Sequence, residues 1–254
     1  MMYKISAIPA FRDNYIWAIH LGDNKICIID PGQAPPVNSF LEQHQLQLCS
    51  ILITHCHYDH IGGVKDLYRQ HNCKIIGPSH PELENCTTIV THGDRIELEN
   101  DLYFNVLHTP GHAAEHMIYF NDTTIFTGDT LFTGGCGRAF QSDVYLYESM
   151  QQLKALPPQL MMYCAHEYTL DNLHFAIHVE PENRQLQQRL ADVTLLRQQN
   201  QVTACGTLQT ELDSNPFLRT NQPSVIDSID KHYDSKTTNE QEIFQKLRRW
   251  KDLF

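Results

Sequence analysis

The sequence predicts a mixed α/β domain over about 1–165, followed by a mainly helical domain over about 166–254. Three observations carry this. Short apolar and β-branched runs recur between turn-forming residues through the first two thirds of the chain. Two pairs of these runs are joined by Gly22–Asn24 and by Asn121–Thr123, which have the composition of hairpin turns. Beyond about residue 170 no strand-like alternation is visible, and apolar residues recur at helical spacing instead.

In chain order, YKISAI reads as a strand and YIWAIHL-GDN-KICIID as a hairpin. SFLEQHQL suits a short helix, CSILIT a strand, GGVKDLYRQH a helix and CKIIG a strand. RIELENDLYFNVLHT alternates over enough length for two strands, and HMIYF-NDT-TIFTGD reads as a second hairpin. VYLYESMQQLKAL is helical up to Pro157, and QLMMYCAH is the last predicted strand. In the tail, Leu186, Leu190, Val193 and Leu196 share one helical face, as do Ile243, Leu247 and Trp250. The stretch 227–240, DSIDKHYDSKTTNE, reads as an exposed loop.

Composition narrows the function classes. Lys and Arg total 19 against 30 Asp and Glu, a net charge of −11, which opposes binding to nucleic acid or to anionic lipid. No apolar run approaches the roughly 18 residues of a membrane span, and the first twenty residues lack a continuous apolar core of the signal-peptide kind. Eight cysteines are scattered without a C-x-x-C pair and read as reduced, buried thiols, so the expected compartment is the cytoplasm. No interface helix is left over, and a monomer is expected.

The chemistry concentrates in THCHYDH, Thr54 to His60, directly after a predicted strand. On a helix His55, His57 and Asp59 would scatter around the axis; in an extended or looping stretch they can converge on one side. Cys56, by alternation, should point away from them. Clustered imidazoles and a carboxylate, without thiolate partners, suit zinc, iron or manganese. Further donors follow later predicted strands: His112 in LHTPGH, Asp129 in FTGDT and His166 in YCAHEYT. The glycines of PGH and TGD fit tight turns beside a site. In the last helix Arg248 and Lys251 are i, i+3 neighbours flanking the apolar face, a pair able to offer two donors to one carboxylate.

The order H-x-H-x-D-H, PGH, GD and a late His resembles the metallo-β-lactamase superfamily. Within it DNYIW, TGDTLFTGGCGR, HEYTLDNLHFA, NPFLR and the ending LRRWKDLF are similar to glyoxalase II, the hydroxyacylglutathione hydrolase family, over nearly the whole chain. The resemblance implies an α+β four-layer αββα sandwich, the metallo-β-lactamase fold, with a C-terminal helical glutathione-binding domain. It implies two divalent metal ions, zinc foremost with iron or manganese as alternatives. His55, His57 and His112 would hold one ion, and Asp59, His60 and His166 the other. Asp129 would bridge them, and Asp59 would also orient a bridging hydroxide. Arg138, Tyr168, Asn172, Arg248 and Lys251 would hold glutathione. The chain departs from the family pattern at three places: AAEH (113–116) stands for T-x-G-H, Ala165 for a glycine, and Phe140 for a tyrosine. His108 and His116 are read as structural or surface residues.

The expected reaction is hydrolysis of S-D-lactoylglutathione and related 2-hydroxyacylglutathiones, the second step of methylglyoxal detoxification. The donor chemistry is compatible with it. Two metals lower the pKa of a shared water toward about 7 and stabilise a tetrahedral oxyanion, and a thiol with pKa near 8.5 leaves without a strong acid. Other readings are a glutathione persulfide dioxygenase, another hydrolase of the same fold (β-lactamase, lactonase or tRNA nuclease), or a non-enzymatic metal module. Exported β-lactamases carry a signal peptide, nucleases favour basic surfaces, and structural zinc sites are closed and often rich in thiolates. Oxygen uptake with glutathione persulfide, measured beside metal content, separates the dioxygenase.

Overall fold

The computed structural model describes residues 3–254, and the chain divides into two compact units. The first holds the residues up to His108 together with Glu115–Asn121 and Ile125–Gly128; the second holds Thr109–Ala114, Asp122–Thr124 and Asp129–Phe254.

The first unit begins with β1 (Ile5–Ala10), β2 (Asn14–Gly22), β3 (Lys25–Ile29), α1 (Ala34–His44), β4 (Gln47–Leu52), a one-turn α2 (Tyr58–Ile61), α3 (Val64–His71), β5 (Lys74–Gly77) and β6 (Thr88–Ile89). Its strands form one sheet in chain order, β1-β2-β3-β4-β5-β6. β2 and β3 are the antiparallel hairpin expected at Gly22–Asn24, while β3, β4, β5 and β6 run parallel, with helical crossovers from β3 to β4 and from β4 to β5 and a loop from β5 to β6. Strands covered on both faces should be continuously apolar rather than alternating, and Ile26–Ile29 and Ile51–Ile53 are all buried. Ile26, Ile28, Ile51 and Ile53 share a core with Val37, Leu41, Val64 and Leu67 from α1 and α3. Fully burying one such side chain contributes about 1.5–3 kcal/mol. The unit continues with β7 (Arg95–Glu97), β8 (Tyr103–His108), β9 (Met117–Phe120) and β10 (Thr124–Gly128). These pair in the order β10-β9-β8-β7, all antiparallel, with the second hairpin where Asn121–Thr123 places it. Tyr119 Oη donates to Ile53 O at 2.6 Å and Met117 N to Thr54 O at 2.7 Å, so β9 holds the chain as it leaves β4.

The second unit contains β11 (Leu131–Phe132), β12 (Gly135–Cys136), α4 (Asp143–Lys154), β13 (Met161–Cys164), α5 (Thr169–Val179), α6 (Arg184–Gln198), β14 (Cys205–Thr207), α7 (Leu208–Ser214), α8 (Pro223–Tyr233) and α9 (Glu240–Leu253). α4 starts where Ser142 Oγ accepts the Tyr145 amide, and α9 where Asn239 Oδ1 accepts the Gln241 amide. The expected apolar face of α9 is buried, with Ile243 and Leu247 inaccessible and Trp250 nearly so.

Three expectations for the tail are corrected. QLMMYCAH is not the last strand: β14 pairs antiparallel with β13, Met162 opposite Gly206. Three residues around a glycine are too few to show alternation. The first half of 227–240 is helix rather than loop. Pro223 opens α8, Val225 and Ile229 bury one face, and Asp234 closes it in the left-handed region at φ 48°. Four charged side chains between 227 and 234 mask that two-residue stripe. On α6, Leu186 and Val193 are buried but Leu196 is exposed, because the apolar face is covered only over its first three turns. No helix among the described residues is long and apolar enough to cross a membrane.

Candidate metal centre

In the first unit, THCHYDH is not a single extended stretch. The chain leaves β4, His57 takes the N-cap position of α2, and Asp59 and His60 lie in that one helical turn. His55 Nε2 and His57 Nδ1 face each other at 3.0 Å. The proton positions follow from the partners. Thr54 Oγ1 donates to Asp30 Oδ2 at 2.6 Å, so at 3.0 Å it accepts from His55 Nδ1–H. His60 Nδ1–H likewise donates to Asp30 Oδ2 at 3.0 Å. Both histidines therefore present Nε2 as a lone pair, the arrangement of metal-binding imidazoles whose other ring nitrogen donates to an oxygen of the protein. His60 Nε2 lies 3.6 Å from Asp59 Oδ2, which in turn accepts from Asn14 Nδ2 at 3.0 Å.

Asp30, His55 and His60 offer donor atoms within 4.8 Å of one another. Asp30 already accepts three hydrogen bonds, from Thr54 N (2.7 Å), Thr54 Oγ1 and His60, so it orients these histidines rather than competing with them. The sequence reading missed Asp30, Thr54 and Asn14. The only available signals were IIDPG after an apolar strand and the DNYIW motif, neither of which shows a role by itself. His116, buried, stacks on His55 with ring centroids 4.8 Å apart, which is a structural position. Gly128, at φ +48°, has no room for a side chain: a Cβ would lie 2.6 Å from Thr54 Oγ1 and 2.7 Å from His116 Nε2. Cys56 points away from its neighbours into the core of the unit, as expected.

In the second unit, His112, Asp129 and His166 are all buried. His112 Nδ1–H donates to Arg138 O at 2.9 Å and turns Nε2 toward Asp129 Oδ2, 3.5 Å away. His166 Nε2 lies 3.3 Å from the same oxygen. One carboxylate oxygen thus lies beside imidazole nitrogens of two histidines, at the separation of ligands sharing ions with bonds of about 2 Å. Gly111, at φ +130°, lets PGH pass α4: a Cβ would lie 2.4 Å from Leu146 N.

The residues expected to hold glutathione also lie in this unit. Tyr168 stacks on His166 at 4.7 Å with planes 6° apart. Asn172 Nδ2 donates to Thr133 O at 3.2 Å. Lys251 Nζ reaches Asp171 O at 3.3 Å, and burial, with the Arg248 charge, lowers its pKa from the ordinary lysine value. Arg248 differs from expectation. The residue is 5% exposed, and its guanidinium is committed to Cys136 O at 2.9 Å, Gly137 O at 3.4 Å and Asp252 at 2.9 Å. It holds the GCG turn instead of pairing with Lys251 at the surface. Arg138, exposed, has its Nε 3.9 Å from Asp252. The same turn is anchored by Glu211, which accepts from Gly134 N at 2.8 Å and pairs with Arg189, and by Asn215, which donates to Gly135 O at 2.9 Å. Asn215 belongs to NPFLR, so that motif fixes a loop nearly 80 residues upstream.

Residues 10–166 match the metallo-β-lactamase superfamily model, and residues 167–254 match the model described as the hydroxyacylglutathione hydrolase C-terminus. The hydroxyacylglutathione hydrolase of Aliivibrio salmonicida is 47% identical over 257 residues, covering all of both chains. The chain belongs to the hydroxyacylglutathione hydrolase family. Another member, from Idiomarina loihiensis, is 45% identical over 251 residues, 98% of this chain and 99% of the relative. Among solved structures, ETHE1 from Myxococcus xanthus has a TM-score of 0.65 at 21% identity, covering 100% of this chain and 99% of that one. The BLEG-1 B3 metallo-β-lactamase has a TM-score of 0.64 at 21% identity, covering 85% and 99%. These two show the metallo-β-lactamase fold. Membership of the hydroxyacylglutathione hydrolase family, with the histidine and aspartate clusters, gives a divalent-metal hydrolase.

Proposed function

We propose that the chain hydrolyses 2-hydroxyacylglutathione thioesters, S-D-lactoylglutathione foremost, to glutathione and the free 2-hydroxy acid. The observation that carries this is Asp129 Oδ2, 3.5 and 3.3 Å from Nε2 of His112 and His166. It supports a bridging carboxylate and so two ions. His55, His57 and His112 are the proposed ligands of the first, and Asp59, His60 and His166 those of the second. The donor set fits divalent ions: it is all nitrogen and oxygen, and Thr54, Asp30 and Arg138 O hold the far nitrogens of three of its imidazoles. Zinc is the proposed metal. When bound, such a pair supplies a water that ionises near about pH 7 and a Lewis acid for the carbonyl.

This chain's own residues do the rest. Asn14 fixes the Asp59 carboxylate, which orients the nucleophile. Lys251 and Arg138 offer cations to the carboxylates of glutathione, with Tyr168 and Asn172 alongside, while Arg248 acts through the GCG turn it holds. The thiol leaves without a general acid. We place the catalytic domain at 1–165 and the glutathione-binding domain at 166–254, supported by the meeting of the two family models at 166 and 167. The protein is proposed to act as a cytoplasmic monomer, its eight cysteines reduced.

The test is loss of thioester ultraviolet absorbance from S-D-lactoylglutathione, with metal analysis on the same sample. Turnover with two ions per chain is expected; no turnover in fully metallated protein overturns the reading. Phe140 gives a finer check. It is exposed, with its ring 5.3 Å from that of His112, at the place where the family pattern has a tyrosine. One restored hydroxyl contact is worth about 1 kcal/mol, so Phe140→Tyr should lower KM about fivefold with little change in kcat. An unaltered KM would remove Phe140 from the substrate contacts.

A further inference from the structure

On the far side of the THCHYDH turn lies a second kind of donor cluster. Cys56 Sγ, an imidazole nitrogen of His80 and a carboxylate oxygen of Glu115 all lie within 4.8 Å of one another. They come from three separate stretches of the first unit: the motif turn, the loop between β5 and β6, and the segment entering β9. Cys56 is buried, while His80 and Glu115 are half-buried and give the cluster a route to solvent. Glu115 Oε1 also accepts the Cys56 amide at 3.0 Å, which fixes the carboxylate against the turn. Glu115 stands where the T-x-G-H pattern has glycine, so the third donor is peculiar to this departure. None of the three belongs to the nitrogen and oxygen set proposed for the hydrolytic ions.

We propose that Cys56, His80 and Glu115 form a third metal site, mononuclear and selective for a thiophilic divalent cation such as Zn2+ or Cd2+. One thiolate, one imidazole and one carboxylate make a three-ligand set with a fourth position open to water. The sulfur distinguishes it from the all-nitrogen and oxygen set and favours soft cations. A tetrahedral ion with bonds of about 2.0–2.3 Å places its ligands roughly 3.3–3.8 Å apart. Contraction by about 1 Å, well within the reach of the half-exposed His80 and Glu115 side chains, closes the site. An ion there also holds the backbone between His55 and His57.

The site does not depend on the proposed reaction, and its test reads binding. Cd2+ is titrated into the zinc-saturated protein, following bound cadmium by equilibrium dialysis and the thiolate-to-cadmium charge-transfer absorption in the ultraviolet. The wild type is expected to take up one cadmium per chain with that absorption, which nitrogen and oxygen ligands cannot give. Cys56→Ser should abolish it. Glu115→Gln keeps an oxygen for the Cys56 amide, and His80→Ala alters a half-exposed side chain whose hydrogen bond, from the Glu82 amide at 3.3 Å, is at the surface. Each should weaken cadmium binding at least about tenfold, and they carry the test even if Cys56→Ser does not fold. No cadmium uptake by the wild type overturns the proposal, as do Glu115→Gln and His80→Ala variants that bind as the wild type does.

Discussion

An Asp129→Ala variant is expected to lose its bound metal and its thioesterase activity together. Asp129 is buried, and its Oδ2 is the one oxygen flanked by both His112 Nε2 and His166 Nε2. Removing it takes a shared negative charge from two cationic sites at once, leaving each proposed ion short of a ligand and closer in effect to its neighbour's charge. Metal-ion catalysis stabilises the transition state by several kcal/mol, so at about 1.4 kcal/mol per tenfold the rate should fall by about 10³-fold or more. Metal analysis after dialysis and the absorbance assay on the same sample read both quantities, with circular dichroism confirming the fold. A variant that keeps two ions and its activity would disprove the bridging role.

The second large effect is expected at Asp30, which touches no substrate. Its Oδ2 accepts from both Thr54 Oγ1 and His60 Nδ1, and Oδ1 accepts the Thr54 amide at 2.7 Å. In Asp30→Asn the remaining oxygen stays on the Thr54 amide and an NH2 group replaces Oδ2. That group can only donate, so the His60 proton is driven to Nε2, the atom needed as a ligand. Thr54 Oγ1 loses its acceptor too, which frees the His55 tautomer. Asp30 has φ 52°, a region asparagine tolerates as well as aspartate, so backbone strain does not confound the comparison. Metal affinity should fall about 10–100-fold, measured by competition with a chelator. Unchanged retention of metal would show that Asp30 serves the fold alone.

Most of the α/β part was legible because its signals are local. Apolar runs give β2 to β5, and turn composition gives both hairpins at their observed places. The motif residues were legible because imidazole clusters are rare outside metal sites. What stayed hidden is of two kinds. α8 buries only two residues and β14 spans only three, none of them fully buried, too few for a period to emerge. Asp30, Asn14, Glu211 and Asn215 act through partners 24 to 80 positions away, and nothing in a single sequence pairs them. Arg248 was recognised as a functional cation, but no pattern could show that its guanidinium closes on the carbonyls of Cys136 and Gly137.

That last contact bears on how such a protein can be dissected. The two family models meet at 166 and 167, inviting the view that evolution joined a catalytic module to a tail. Yet Asp129–Phe254 falls within one compact unit, and its GCG turn hangs on Arg248, Asn215 and Glu211. The seam of inheritance and the seam of folding therefore fall at different places. Shuffling genes at the first would cut through the second, and a recombinant catalytic half would carry a turn stripped of its hydrogen-bond partners. Chimeras that respect the folding seam must exchange Thr109–Ala114, Asp122–Thr124 and Asp129–Phe254 together.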